Sequence, residues 1–262
     1  MKRLIVAAVM MFTLASAQAG IKTQEVEYSD GTTNMKGYLA FDDSIKGKRP
    51  GVLVVHEWWG LNDYARKRAR MLADLGYTAL AIDMYGGGKK ADHPDTARKF
   101  YQEARKNMAT AEARFKAALK VLQQHASTNA EKIAAIGYCF GGGIVLEMAR
   151  RGVDLDAVAS FHGSLGTATP AKPGKIKTRV LVLTGADDPF AKPEVVAAFK
   201  AEMDKANVDY KVISYPGAKH SFTNPDADKF GKKFDMPLAY NAEADKQSWA
   251  EMQKLFKEVF GQ

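Results

Sequence analysis

The segment 137–142 constrains the fold more than any other part of this sequence. It reads Gly-Tyr-Cys-Phe-Gly-Gly and joins an apolar run over 133–136, which predicts a buried strand, to a helical pattern over 142–151. Small residues on either side of Cys139 permit a sharp turn from strand to helix, because such a turn leaves no room for a Cβ atom. The turn lifts the central side chain above the sheet. The segment therefore predicts a nucleophile elbow for acyl transfer, with Cys139 as the nucleophile.

The patterns along the rest of the chain predict alternating strands and helices. An antiparallel hairpin is expected from 23–29 and 35–41, which alternate apolar and polar residues around Asp30-Gly31. Apolar runs predict further strands over 51–55, 77–82, 157–161, 179–184 and 210–215. Helical patterns cover 62–75, 95–125 with a break near Met108, 193–206, and a closing segment marked by Trp249, Met252, Phe256 and Val259. The predicted class is α/β, a mainly parallel sheet with helices on both faces and an N-terminal antiparallel hairpin.

Residues 1–19 predict a secretory signal peptide. Lys2 and Arg3 precede an apolar run over 4–14, and Ala17-Gln18-Ala19 is a small-x-small cleavage site. We therefore expect export to the periplasm, or secretion, of a single domain over 20–262. The apolar run is too short to span a bilayer and no later run is longer, so we expect no stable membrane insertion.

The single cysteine and the charge limit the classes of function. One cysteine in the chain allows no internal disulfide, and a buried, inert thiol is the alternative interpretation of Cys139. The glycine flanks favour the reactive interpretation. A formal charge of +8 without a stripe of basic and aromatic residues argues against a nucleic-acid partner. The charge supports only a mild attraction for anionic small molecules.

Polar residues that could carry chemistry follow the predicted strands. They are His56, Glu57, Asp83, Cys139, His162, Asp188 and His220. Because ligands bind at the carboxyl ends of the strands of a parallel sheet, we expect these residues to converge on one rim.

The order nucleophile, acid, histidine is that of the α/β-hydrolases, and Cys139, Asp188 and His220 follow it. His220 would be the general base and Asp188 would orient it. The spacing Gly-x-x-Asp favours Asp188, and Asp187 stays open as the alternative. The oxyanion of the tetrahedral intermediate needs two N–H donors, for which we expect the backbone of Phe140 and Trp58.

Four motifs together resemble the dienelactone hydrolase family. They are Glu57, the cysteine elbow, the Gly-x-x-Asp that ends at Asp188, and the Lys-His-Ser-Phe over 219–222. The resemblance implies an α/β-hydrolase fold with a Cys-His-Asp triad that acts on lactones or esters, without a metal or an organic cofactor. It also implies that Glu57 contacts the resting thiol and takes part in forming the thiolate when substrate binds.

The chain departs from that family where the substrate carboxylate is held. The arginines that dienelactone-cleaving members carry after the matching tyrosine and after His-Ser-Phe are replaced here by Gly86 and by Thr223-Asn224. Lys89 or Lys90 would substitute only as mobile charges. The diene-lactone itself is therefore not expected as the substrate. We expect Tyr85, Trp59 and His162 to contact the substrate.

The sequence predicts a monomeric hydrolase of a small lactone or carboxylic ester that works through a cysteine thioester. A non-hydrolytic thiol protein on the same scaffold, redox-active or ligand-binding, is the alternative. A metal site from His56, Glu57, His162 and His220 is a third interpretation, although no spacing motif supports it. The motif His-Glu-x-x-His fails because position 60 is glycine.

Overall fold

A single eight-stranded sheet organises the protein. The computed structural model describes residues 20–261. The sheet has the order β1-β2-β4-β3-β5-β6-β7-β8. The strands are β1 (Ile21–Ser29), β2 (Asn34–Asp42), β3 (Arg49–Val55), β4 (Thr78–Ile82), β5 (Thr128–Tyr138), β6 (Ala157–Phe161), β7 (Arg179–Gly185) and β8 (Tyr210–Tyr215). The pairs β1–β2 and β2–β4 are antiparallel and all others are parallel, which confirms the predicted fold class.

Seven helices surround the sheet in the described part of the chain. They are α1 (Asp63–Asp74), α2 (Pro94–Lys106), α3 (Met108–Gln124), α4 (Phe140–Arg150), α5 (Pro193–Lys205), α6 (Ala227–Phe234) and α7 (Ala242–Phe260). One apolar cluster joins the sheet to α3, α4 and α5, and the other joins it to α1 and α7.

Residues 51–55 of strand β3 show why this part of the sequence is apolar. Leu53 and Val55 pack in the first cluster, while Val52 and Val54 pack in the second. Because successive side chains of a strand point to opposite faces, a strand covered on both faces has no polar positions. The same strand delivers the residues that follow it, His56 to Gly60, to the carboxyl rim of the sheet.

Several predicted boundaries are confirmed and others move. Asn107 ends α2 and caps α3, since its Oδ1 accepts a hydrogen bond from the Thr110 N–H at 3.1 Å. Helix α4 begins at Phe140, two residues earlier than the pattern indicated. Helix α6 was not predicted, because eight residues rich in lysine and interrupted by Gly231 resemble a loop.

Export stays a prediction, because the proposed signal peptide lies outside the described residues. Within residues 20–261 no helix combines the length and the apolar character needed to cross a bilayer.

Candidate active site

The elbow is built on the close approach of two backbone segments. Cys139 has φ of +52°, an unusual value for a residue with a side chain, and α4 starts directly after it. A Cβ on Gly141 would overlap the carbonyl oxygen of Val55 and would lie 2.7 Å from that of His56. The Gly141 N–H instead donates to His56 O at 3.1 Å. Glycine is therefore required where α4 meets the end of β3.

The structure brings the three predicted triad residues together. His220 Nε2 lies 3.1 Å from Cys139 Sγ, and His220 Nδ1 lies 2.8 Å from Asp188 Oδ2. Asp188 is buried in its turn, where its Oδ1 also accepts from the Phe190 N–H at 2.8 Å. Asp187, the alternative, is exposed. The geometry therefore favours Asp188 as the partner of the imidazole.

The environment of His220 favours its charged form. Burial of the ring opposes protonation, but the Cys139 sulfur and the Asp188 carboxylate outweigh it and raise the pKa of His220 to about 10. At neutral pH the His220 ring is therefore protonated on both nitrogens, with Nε2 facing the sulfur and Nδ1 facing the carboxylate. An imidazolium beside a cysteine is the setting that stabilises a thiolate.

Glu57 does not make the contact with the thiol that the resemblance implied. Its carboxyl group is buried, and accepts from Ser221 Oγ at 2.9 Å and from Asn224 Nδ2 at 2.6 Å. Burial raises the pKa of Glu57 against the effect of these two hydrogen bonds. Cys139 Sγ contacts His220 instead. Glu57 therefore ties down the loop that follows His220.

Two N–H groups are available near the nucleophile. Phe140 is the first residue of α4, so its N–H has no partner within the helix. Neither this N–H nor that of Trp58 donates a hydrogen bond in the described part of the chain. Both residues line the same cavity as Cys139, as expected for an oxyanion site.

A cavity of about 400 Å³ opens above the sulfur. Its lining is mostly apolar, and besides His220 it contains one cation, on α2. The lining residues are Trp58, Arg98, Tyr101, Cys139, Phe140, Ser164, Phe190, His220, Ser221, Met236 and Leu238. The last two follow the unpredicted helix α6.

Three residues predicted to contact the substrate do not line this cavity. Tyr85 is buried and donates through its hydroxyl to Trp58 O at 2.9 Å. Trp59 stacks on Phe230 of α6 with ring centroids 4.8 Å apart. His162 is fully buried and accepts a hydrogen bond from the Cys139 N–H. All three contact other residues of the protein and are absent from the lining of the cavity.

Asp83 and the lysines have other roles than contact with substrate. Asp83 is fully buried and accepts from the N–H groups of Tyr85, Gly86 and Gly88 at 2.8–2.9 Å, which fixes the glycine loop. Lys89 lies over the Phe100 ring and lines a different cavity. Arg98 was missed, since a charged residue on an exposed helix carries no sequence signal of a pocket.

The four residues of the proposed metal site are engaged otherwise. His56 Nδ1 is hydrogen-bonded to Glu57 O, and His56 Nε2 accepts from the Met84 N–H at 3.3 Å. Burial lowers the pKa of His56, so the ring is neutral. Among residues 20–261 no group of three or more His, Cys, Asp and Glu side chains could hold a metal ion.

A comparison with known protein families identifies the family of this chain. The model of the dienelactone hydrolase family matches residues 35–260. The chain belongs to this family. Protein usf of Aquifex pyrophilus is 33% identical over 206 residues, which are 77% of this chain and 87% of that protein. A putative carboxymethylenebutenolidase of Aquifex aeolicus (strain VF5) is 31% identical over the same shares.

Solved structures of dienelactone hydrolases agree with this membership. The structure named m3DLH is 41% identical, has a TM-score of 0.85, and the match covers 92% of this chain and 99% of that chain. A dienelactone hydrolase-like promiscuous phosphotriesterase from metagenomic libraries is 39% identical, with a TM-score of 0.84 and the same coverage.

We predict that Gly141→Ala destabilises this dienelactone hydrolase family member. The added methyl group would press on the backbone at Val55 and His56, so the free energy of unfolding should fall by about 3 kcal/mol or more. Urea unfolding of Gly141→Ala and Gly166→Ala measures the effect, because a Cβ at Gly166 meets no atom within 4 Å. Equal stability of the two variants would contradict the close approach.

We also predict that the charge on sulfur controls the titration of His220. In the native protein the ring should titrate near pH 10. In Cys139→Ser it should titrate at lower pH, because burial still disfavours the imidazolium while the hydroxyl carries no charge. NMR of the labelled imidazole measures both values, and an unchanged titration in the variant would refute the coupling.

Proposed function

We propose that this protein cleaves a lactone or carboxylic ester through a thioester on Cys139. One observation carries the proposal: the Sγ–Nε2 contact of 3.1 Å, continued to Asp188 at 2.8 Å, at the base of an apolar cavity. Membership of the dienelactone hydrolase family supports hydrolase activity on lactones or esters.

Acylation begins with attack of the Cys139 thiolate on the substrate carbonyl carbon. A C–S bond forms, and the carbonyl oxygen becomes an oxyanion that the N–H groups of Phe140 and Trp58 can bind. Collapse of this intermediate breaks the C–O bond of the ester. The leaving alkoxide takes the proton of the His220 imidazolium, so no free alkoxide is released.

Deacylation uses the same imidazole in its neutral form. His220 takes a proton from water, the oxygen attacks the thioester, and the C–S bond breaks. The carboxylic acid leaves and the sulfur again faces the imidazolium. Asp188 stabilises the charged ring in both half-reactions and holds its Nδ1 proton.

In this mechanism Glu57 acts on the thiolate indirectly. Burial raises the pKa of Glu57, which disfavours a negative charge on this carboxyl group near the sulfur. Its hydrogen bonds to Ser221 and Asn224 hold the loop that begins at His220. We therefore assign Glu57 to the positioning of the histidine.

The triad is tested with Cys139→Ala, Asp188→Asn and, as a matched control, Asp187→Asn. We expect no turnover of 4-nitrophenyl esters by the first and a loss of about 10³–10⁴ in kcat by the second. The control should retain full kcat, because Asp187 is exposed and faces no catalytic group. Turnover by Cys139→Ala, or a greater loss in the control, would contradict the assignment. A native protein that is alkylated at Cys139 but cleaves no ester would favour the thiol-protein alternative.

The cavity indicates the class of ester. Aromatic and aliphatic side chains surround the sulfur, and Arg98 is the one cation among the lining residues besides the triad imidazolium. Among the described residues Arg98 forms no ion pair or hydrogen bond. We propose a substrate with an apolar body and a carboxylate that Arg98 binds from α2, a position different from those of the arginines that the resemblance leads one to expect.

Arg98→Gln tests this selectivity against Lys99→Gln, which removes the same charge from the next residue of the same helix. For the 4-nitrophenyl monoester of glutaric acid, kcat/KM should fall about tenfold in Arg98→Gln, which corresponds to about 1.4 kcal/mol. For neutral 4-nitrophenyl valerate it should not change. Lys99→Gln should alter neither value. Equal losses on both esters would refute the carboxylate role and leave ester cleavage intact.

A further inference from the structure

A buried histidine lies directly behind the nucleophile. His162 follows β6, has φ of +40° and is fully buried. The Cys139 N–H donates to His162 Nδ1 at 3.1 Å and also to Phe161 O at 3.0 Å. An N–H donor requires a lone pair at Nδ1, so the proton of the neutral ring is on Nε2. The tautomer of His162 is therefore coupled to the position of the nucleophile.

Thr223 supplies the matching acceptor on the other side of the ring. His162 Nε2 lies 2.7 Å from Thr223 Oγ1, and both residues are fully buried. Tyr64 OH lies 2.6 Å from the same oxygen. Tyr64 OH also accepts from Arg68 Nε at 3.3 Å. Because His162 Nδ1 is the acceptor for the Cys139 N–H, its Nε2–H donates to Thr223 Oγ1, which favours this tautomer.

Arg68 anchors this chain of hydrogen bonds. Its Nη2 donates to Thr223 O and to Asp245 Oδ1, each at 2.6 Å. The guanidinium carbon lies 5.3 Å from the ring centroids of both Tyr64 and Tyr138. Planar stacking and fixed N–H directions suit an arginine to hold such an array. Thr223, which accepts the hydrogen bond from the imidazole, is therefore held both at its side chain and at its backbone.

We propose that His162 is a positioning residue for the thioester reaction, held in its Nε2–H tautomer by Thr223, Tyr64 and Arg68. The proposal rests on the proposed function, because the group it positions is the Cys139 nucleophile. A positive φ at a non-glycine residue such as Cys139 is strained and persists only where its surroundings fix it. The hydrogen bond from the Cys139 N–H to His162 Nδ1 holds Cys139 in this conformation. The conformation aims Sγ at His220 and leaves the Phe140 N–H facing the cavity.

A protonated His162 is incompatible with this arrangement. It would point Nδ1–H at the Cys139 N–H, so two donors would face each other. Burial lowers the pKa of His162 well below its usual range, and the neighbouring His220 and Arg68 act in the same direction. His162 therefore stays neutral while His220, with its ring centroid 5.4 Å away, carries the charge.

The test uses Thr223→Val and Thr223→Ser. Valine keeps the shape and removes the acceptor, so the buried Nε2–H loses its partner and only the Cys139 N–H still favours this tautomer. We expect kcat for a 4-nitrophenyl ester to fall about 10–100-fold with little change in KM, as an interaction that supports only the transition state does. Serine restores the hydroxyl and should recover most of the loss. Nitrogen NMR of the labelled imidazole should show Nε2–H in the native and Ser proteins and loss of that single tautomer in the Val protein.

Further readouts separate this proposal from the proposed function. Alkylation of Cys139 by iodoacetamide requires no ester, and should be slower in Thr223→Val than in Thr223→Ser. Tyr64→Phe, which loses only the phenolic hydroxyl, should shift the tautomer and kcat in the same direction but less. Tyr64→Phe provides the test if the Thr223→Val protein does not fold, as judged by circular dichroism.

Native tautomer, alkylation rate and kcat in a folded Thr223→Val or Tyr64→Phe protein would overturn the positioning role. So would losses that Thr223→Ser fails to recover. A native protein that shows the tautomer and alkylation effects but no ester turnover would instead refute the proposed function alone.

Discussion

The site depends on one contact between backbones, that of Gly141 against the end of β3. Because Gly141 has no Cβ, α4 can start beside the carbonyl groups of Val55 and His56, and the Gly141 N–H donates a hydrogen bond to His56 O. That contact places the loop with Glu57 and Trp58 next to the nucleophile. The two N–H groups available to an oxyanion come from the two segments that meet at this point. The elbow therefore sets the geometry of both the sulfur and its oxyanion site.

The charges around the sulfur follow a consistent pattern. His220 and Asp188 carry opposite charges in contact, while burial keeps His162 neutral and raises the pKa of Glu57. Asn224 stands where the resemblance led us to expect an arginine, and it offers Glu57 a neutral amide. A guanidinium there would favour ionised Glu57, because a nearby opposite charge stabilises a carboxylate. Within residues 20–261 the His220 imidazolium is the charged group that contacts the Cys139 sulfur.

Sequence reasoning predicted the chemistry at the strand ends, and the reason lies in the parallel sheet. Its strands end at a common rim, so Cys139, Asp188 and His220 were expected to meet and do meet. It failed for His162 and Arg98. A residue with positive φ after a strand turns its side chain away from the direction that alternation predicts, and His162 has φ of +40°. Arg98 reaches the cavity through the packing of α2, which local patterns do not encode.

The chain from Asp245 to Cys139 shows why a buried cation is retained in this fold. Replacement of a buried ion pair by apolar side chains is often neutral or stabilising, so Arg68 and Asp245 need not contribute to stability. An apolar pair would not donate directed hydrogen bonds to its neighbours. Arg68 donates to Tyr64 OH and to Thr223 O, and Thr223 together with the Cys139 N–H favours the proton of His162 on Nε2. An ion pair between α1 and α7 thereby fixes a hydrogen bond at the nucleophile without contacting the substrate cavity.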